Sequence, residues 1–244
     1  MEKQDRLWQD GPVFFMSDGV MKPSTDSFLL ADFARCRADD TVVDLGAGSG
    51  LLGLLLSARQ PGVRVVGVEC SETACALARR TYAENGLNGE ILHGDLRNAE
   101  ALFPRETADA VICNPPYFAP ENGAVAPGER GMARAELSAT LEDICAAAET
   151  VLKYGGRFFL IYRVERLTDL LTECRKHRLE PKRMRLVQHR QGKTPELLLL
   201  ECKKGGRPGL RAEIPLWLEN GDGAETQDAA RAYFRDKNTD FCEE

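Results

Sequence analysis

Thr41-Val42-Val43-Asp44-Leu45-Gly46-Ala47-Gly48-Ser49-Gly50 decides the fold of this chain. Its first half is β-branched and apolar and reads as a buried strand. Three glycines in the second half let the backbone turn sharply and approach a ligand closely. Leu51 to Ala58 follows as a helix. Strand, glycine turn and helix together make the nucleotide cradle of doubly wound α/β proteins.

The same alternation continues downstream. Val63 to Val68 reads as a strand ending at Glu69. Ser71 caps a helix with apolar positions Ala74, Leu77, Ala78 and Tyr82, and Asn85-Gly86 stops it. Glu90 to His93 is a short strand closed by Gly94-Asp95-Leu96, and Ala108 to Cys113 is a fourth. A long polar loop over 118–136 precedes a helix from Leu137 to Lys153, a break at Gly155-Gly156 and a strand from Arg157 to Tyr162. A helix from Val164 to Arg178 leads into two strands, Arg183 to Gln188 and Glu196 to Cys202, paired as an antiparallel hairpin. The pattern predicts a doubly wound, mostly parallel seven-stranded sheet with helices on both faces and a C-terminal antiparallel hairpin. Residues 1–36 read as an N-terminal arm, with a possible hairpin, and a helix whose N-cap lies in Ser24-Thr25-Asp26. Residues 37–204 are the core, and 205–244 a C-terminal extension with an acidic tail.

Bulk properties narrow the class. A net charge of −6 over 244 residues argues against coating nucleic acid by charge alone but allows a local basic site. The charged start has no apolar segment behind it, and no run is long enough to span a membrane, so a cytoplasmic protein without membrane contact is expected. Eight cysteines are scattered without a Cys-x-x-Cys pair, as reduced thiols are, and no metal site is expected. His93, His177 and His189 give little support to a histidine-based triad.

The Gly46–Gly50 turn, Glu69, Asp95 and Asn114 fall at the ends of four successive strands, where ligands of such sheets bind. Gly48 to Gly53 matches the dinucleotide G-x-G-x-x-G, with Glu69 about 20 residues on. Asp44 beside the turn would repel a pyrophosphate yet suits a cationic sulfonium and amino group. Asp95 is placed to accept from an adenine amino group, and Glu69 to hold ribose hydroxyls. The expected cofactor is S-adenosylmethionine, not a nicotinamide. Asn114-Pro115-Pro116-Tyr117 leaves its strand in a rigid turn, because two prolines forbid continuation. The Asn114 amide and Pro115 carbonyl can accept both N–H bonds of an exocyclic NH₂ while Tyr117 stacks on the ring.

With these motifs the chain resembles the tRNA N6-adenine methyltransferases that act on adenosine 37 of valine tRNA. The likeness runs over about residues 15–205. It rests on Thr25-Asp26-Ser27-Phe28-Leu29-Leu30-Ala31, Asp44 to Gly50, His93-Gly94-Asp95-Leu96, Cys113-Asn114-Pro115-Pro116-Tyr117-Phe118, Ala133-Arg134-x-Glu136 and the later blocks at 155–158, 163–167 and 179–183. Ala135 stands where the Arg-His-Glu form of that loop carries histidine. The resemblance implies a class I fold and S-adenosylmethionine held by Asp44, Gly46, Gly48, Gly50, Glu69, Cys70, Asp95, Leu96 and Asn114. It implies catalysis at Asn114, Pro115, Pro116 and Tyr117. Lys22, Phe118, Arg134, Lys182, Arg183 and Arg185 are the candidate RNA contacts, the last three from a basic run over 175–193. The partner expected is tRNA or another structured RNA, and the oligomeric state is left open. The alternatives are a release-factor glutamine methyltransferase and a non-catalytic RNA-binding module of the same fold.

Overall fold

The computed structural model describes residues 2–17, 20, 24–115 and 139–234. Strands β1 (Glu2–Arg6) and β2 (Val13–Ser17) form an antiparallel hairpin, as the N-terminal arm allowed. Phe14 and Phe15 are both buried, in different clusters, and hold it to the body. Asn85 clamps it by donating to the Val13 carbonyl (2.7 Å) and accepting from the Val13 N–H (2.9 Å).

The core follows in order: α1 (Thr25–Phe33), β3 (Thr41–Leu45), α2 (Leu51–Arg59), β4 (Arg64–Glu69), α3 (Glu72–Glu84), β5 (Gly89–His93), α4 (Ala99–Leu102), β6 (Ala108–Cys113), α5 (Leu141–Val151), β7 (Leu152–Arg163), α6 (Leu167–Lys176), β8 (Leu179–Arg190) and β9 (Leu197–Lys204). The short strands β10 (Arg211–Ala212) and β11 (Leu216–Glu219) and helix α7 (Gln227–Ala232) complete it. The main sheet has the order β10-β8-β9-β7-β6-β3-β4-β5, with β11 also on β8. It is parallel from β5 to β7 and closed by antiparallel β9. The seven-stranded doubly wound sheet with its hairpin is therefore present. Among the described residues it grows to nine strands, because β10 and β11 pair with β8.

Side-chain alternation along the strands divides the core into two layers. Val42, Ala110, Ile112 and Phe159 meet α1, α2 and α3 on one face, while Val43, Leu45, Val111 and Phe158 meet α4, α5 and α6 on the other. The C-terminal segment packs on the first face. Arg59 of α2 is buried there, donating to Asp32 of α1 (3.0 Å) and to the carbonyls of Arg231 and Ala232, and its guanidinium lies over Phe234. Phe234 in turn stacks on Trp8 of the N-terminal hairpin loop at 4.0 Å.

The junction between α5 and β7 differs from expectation. Helix α5 stops at Val151 and runs straight into β7, and Gly155-Gly156 lies inside that strand, at an irregularity in its pairing with β6. The stop is made from outside. Lys204, only 3 % exposed, donates to the carbonyls of Glu149 (2.6 Å) and Leu152 (2.9 Å) and so caps the helix C-terminus with a positive charge. Its ammonium also pairs with Glu149 and Glu106. Lys204→Met keeps the length and removes the charge, leaving those carbonyls without their donor and Glu149 with only the longer Arg178 pair at 3.8 Å. It is expected to lower the free energy of unfolding by about 3 kcal/mol, read as a lower urea midpoint at unchanged slope.

Candidate active site at the C-terminal strand ends

Strands β3 and β6 are neighbours from which the chain order diverges in opposite directions, so a crevice opens beyond their ends. Asp44 and Ile112 are register partners there, and the Cys113 thiol donates to the Leu45 carbonyl at 3.2 Å. The glycine turn and Asn114 are thereby brought side by side.

The turn needs its glycines for backbone reasons. Gly46, Gly48 and Gly50 have φ of 78°, 53° and 83°, in the left-handed region that other residues enter only with strain. Gly46 and Ala47 both donate to the Val68 carbonyl at 2.9 Å, which ties the turn to the end of β4. A Cβ at Gly46 or Gly48 would meet nothing within 4 Å, so the space over the turn is open to a ligand. Glu69 closes the rim: one carboxylate oxygen accepts from Gly48 N–H (2.9 Å), the other from Ser71 N–H (2.8 Å). Glu69→Ala removes both a charged acceptor and a support of the turn. Cofactor binding is expected to weaken by about 10- to 100-fold, measured by titration calorimetry, with Glu69→Gln intermediate.

Cys70 follows Glu69 in the chain, and the Asp95 turn is brought beside them because the Gly94 N–H donates to the Glu69 carbonyl and the His93 ring meets the Cys70 carbonyl, each at 3.0 Å. Asp95 opens the turn containing Leu96 and is held by Arg97. The Arg97 guanidinium bonds both carboxylate oxygens, the Arg97 N–H joins it at 2.9 Å, and together they keep the carboxyl below the usual range. Asp95 therefore meets any ligand as half of an ion pair.

Asp44 is the electrostatic centre. It is 1 % exposed, and its Oδ2 has no hydrogen-bond partner. Burial pushes its carboxyl up to about 7, the nearby Glu69 charge adds to this, and the Gly53 backbone N–H opposes it. Tyr82 lies close by, buried, with a hydroxyl that also lacks a partner. The third glycine of the G-x-G-x-x-G match makes room for this ring: a Cβ at Gly53 would stand 1.9 Å from the tyrosine oxygen. A buried carboxylate with one orphaned oxygen beside an open glycine turn, with a second carboxylate on the rim, fits a ligand that brings positive charge.

Asn114 points to the α1 face, as its parity with Ala110 and Ile112 requires. Its Nδ2 donates to Ser27 Oγ at 3.0 Å and lies 3.4 Å from Ser24 Oγ. Ser24 occupies the N-cap of α1 yet makes no side-chain cap bond, contrary to the capping role read from sequence. Pro115 is buried beside it. Pro116, Tyr117, Phe118, Arg134 and Lys22 lie outside the described residues.

The basic run needs correction. Strand β8 starts opposite the end of β9 and runs parallel to β7, so only its last residues reach the site edge. Lys182 and Arg183 stand near its beginning, about 25 Å of strand from Arg190. Arg183 is 6 % exposed and fully engaged: it donates to Glu201 (2.8 Å), Glu213 (3.3 Å) and the Phe33 carbonyl (2.6 Å), with its guanidinium over the Phe33 ring. Arg185 bonds Asp228 and the Ile214 carbonyl, and Lys182 bonds the Arg207 carbonyl. Arg175, Lys176 and Arg178 also pair with carboxylates. These residues do not surround Asn114, because they hold the C-terminal segment and α6 to the sheet. Arg190 and Lys193, at the turn between β8 and β9, are the members of the run that share the site edge. Sequence reasoning read Ser27 only as part of a family block and Tyr82 only as an apolar helix position, and it passed over Lys204, since nothing local marks their partners.

The family profile of the methyltransferase small domain matches residues 11–177. A protein of Porphyromonas gingivalis named tRNA1(Val) (adenine(37)-N6)-methyltransferase is 33 % identical over 193 residues, covering 75 % of each chain. One of the same name from Aliivibrio salmonicida is 27 % identical over 206 residues, 83 % of this chain and 85 % of that one. A crystal structure from Agrobacterium tumefaciens, described as a predicted O-methyltransferase, superposes with a TM-score of 0.71 at 26 % identity, over 86 % of this chain and 96 % of that one. Sequence profile, relatives, sheet order and an anionic glycine-turn pocket agree: the chain belongs to the methyltransferase small domain family and is an S-adenosylmethionine-dependent methyltransferase.

Proposed function

We propose that the protein methylates the exocyclic N6 of adenine in RNA, with adenosine 37 in the anticodon loop of a tRNA as the target. The observation that carries this is the Asn114 amide, held by α1 at the mouth of the crevice beside the glycine turn. The names of the relatives supply the nucleotide and the RNA.

When bound, S-adenosylmethionine supplies an electrophilic methyl group on a cationic sulfur. Asp44, Gly46, Gly48, Gly50 and Glu69 would hold it, with Cys70, Asp95 and Leu96 along the same edge. An adenine N6 lone pair is delocalised into the ring and is a poor nucleophile. Asn114 and the Pro115 carbonyl, by accepting both N–H bonds, localise that lone pair and aim it. This is catalysis by positioning and electrostatics, and it needs no strong base. Tyr117 supplies a stacking face for the base, worth about 1–3 kcal/mol. A base already unpaired in a loop is the cheapest to extrude into the crevice.

RNA phosphates meet the protein at the site edge, so Arg190 and Lys193 contribute and Lys182 does not. Arg190→Ala and Lys193→Ala are each expected to flatten the slope of log K against log salt by about 0.7–0.9, while Lys182→Ala leaves the slope unchanged. Filter binding of tRNA from 50 to 300 mM salt measures this.

The deciding experiment is incubation with methyl-labelled S-adenosylmethionine and unmodified total tRNA, followed by digestion to nucleosides. Label in N6-methyladenosine, mapped to position 37, is the expected result. Label in protein with none in RNA moves the substrate to a glutamine side chain. Cofactor binding without transfer to either would make the protein a binding module.

A further inference from the structure

An asparagine amide has two ends of nearly equal shape and opposite hydrogen-bond character. Only the oxygen end can accept from an amino group; the nitrogen end would set donor against donor. Something must therefore choose between them before substrate arrives. At Asn114 the nitrogen end is occupied by Ser27 Oγ at 3.0 Å, with Ser24 Oγ at 3.4 Å. Ser27 is 7 % exposed, so bulk water cannot readily replace this contact. Ser24 stands at the N-cap, where a serine hydroxyl normally accepts from a first-turn N–H and stabilises its helix. Here it makes no cap bond and faces Asn114 instead. A local rule is broken where the catalytic amide needs an anchor.

The anchor is rigid because α1 is pinned along its length. Asp32 is held between Arg59 (3.0 Å) and Arg231 (3.1 Å), and Phe28 meets Tyr233 edge-on at 6.1 Å between ring centres. The C-terminal segment thus braces, from behind, the helix that presents Ser27.

We propose that Ser27, assisted by Ser24, is a positioning residue that fixes the Nδ2 end of the Asn114 amide and so presents its Oδ1 end to the amino group being methylated. The inference rests on the adenine-N6 reading above.

The test is a double-mutant cycle in single-turnover methyl transfer to unmodified tRNA at saturating cofactor. Ser27→Ala is expected to slow transfer about tenfold with the cofactor dissociation constant unchanged. In the Asn114→Ala background the same substitution has no further effect, because the group it positions is gone. Ser27→Thr, which keeps the hydroxyl, restores most of the rate. An equal fractional loss in both backgrounds assigns Ser27 a general structural role and overturns the proposal, as does an undiminished rate in Ser27→Ala. A second readout needs no substrate. The ¹⁵N side-chain signal of Asn114, assigned by its disappearance in Asn114→Ala, is expected to shift in Ser27→Ala with at least tenfold faster amide exchange; an unmoved signal overturns the proposal. Wild-type protein that labels no RNA overturns the adenine-N6 reading instead, and the NMR result then decides Ser27 alone.

Discussion

Asn114→Ala is expected to lower the rate of methyl transfer to tRNA by about 10²–10³-fold, the usual cost of deleting one preorganised polar group at a reacting centre. Cofactor affinity should change by no more than a few-fold. The separation follows from the architecture. Asp44, the glycine turn and Glu69 belong to β3, β4 and the turn between β3 and α2, and the turn is braced by the Val68 carbonyl and by Glu69. Asn114 extends from β6 and is braced by α1. Removing its side chain leaves the first group intact. Asn114→Asp retains an acceptor but has no Nδ2 to give Ser27, so it should lie between wild type and the alanine variant. The asparagine does not titrate, so its contribution is flat with pH. Single-turnover rates at saturating cofactor, with calorimetric cofactor titration, measure both quantities. Wild-type rates in the alanine variant would remove the mechanism.

The second large effect concerns Asp44. Its carboxyl is raised from 3.8 to about 7 in the fold, chiefly by burial. The sign follows from proton binding. Below about pH 4 the group is protonated in folded and unfolded chains alike, and it costs nothing. Between about 4 and 7 the unfolded chain loses its proton while the fold retains it, so stability falls as pH rises. The accumulated cost by neutral pH is about 4 kcal/mol. Asp44→Asn is close in shape and removes the charge, so the cofactor-free variant should melt higher than wild type at pH 8, by several degrees. That advantage narrows toward pH 4. The neighbouring Tyr82 hydroxyl, pushed well up by its own burial and by Asp44, stays neutral throughout.

Cofactor binding should move the opposite way. A cationic ligand favours the ionised carboxylate, so below pH 7 the wild type must release a proton to bind. Its affinity is expected to fall by up to tenfold per pH unit from 7 to 5, while Asp44→Asn binds weakly and independently of pH over that range. Scanning calorimetry of the cofactor-free protein and titrations at pH 5, 6 and 7 test the two halves separately. A flat wild-type profile, or a variant less stable than wild type at pH 8, would contradict the assignment.

The sequence carried the chain of strand ends far. Periodicity placed β3 to β7, the glycines marked the turn by their backbone demand, and two prolines marked where β6 had to stop. Strand parity alone puts Asp44 and Asn114 on one face of the sheet, because each lies an even number of residues from a partner in the same layer. Ser71 as a cap and Asn85-Gly86 as a stop were legible for the same reason, since their physics is complete within a few residues.

Other features have causes far away in the chain. Ser27 meets Asn114 across 87 positions, and Arg183 reaches the Phe33 carbonyl across 150. A run of lysines and arginines reads as one patch in the sequence. In the sheet, β8 carries one end of that run to the site and the other to the opposite edge, and carboxylates from distant segments neutralise most of it. The end of α5 is set by Lys204, which no local signal announces. What the sequence determined by itself was local: which segments are strands and helices, where they must turn, and which residues stand at their ends. What the tertiary structure alone decided was which charges are buried and paired, and which side chains meet the Asn114 amide. The first depends on backbone sterics and side-chain periodicity, which act over a few residues. The second depends on desolvation and on contacts between groups that only folding brings together.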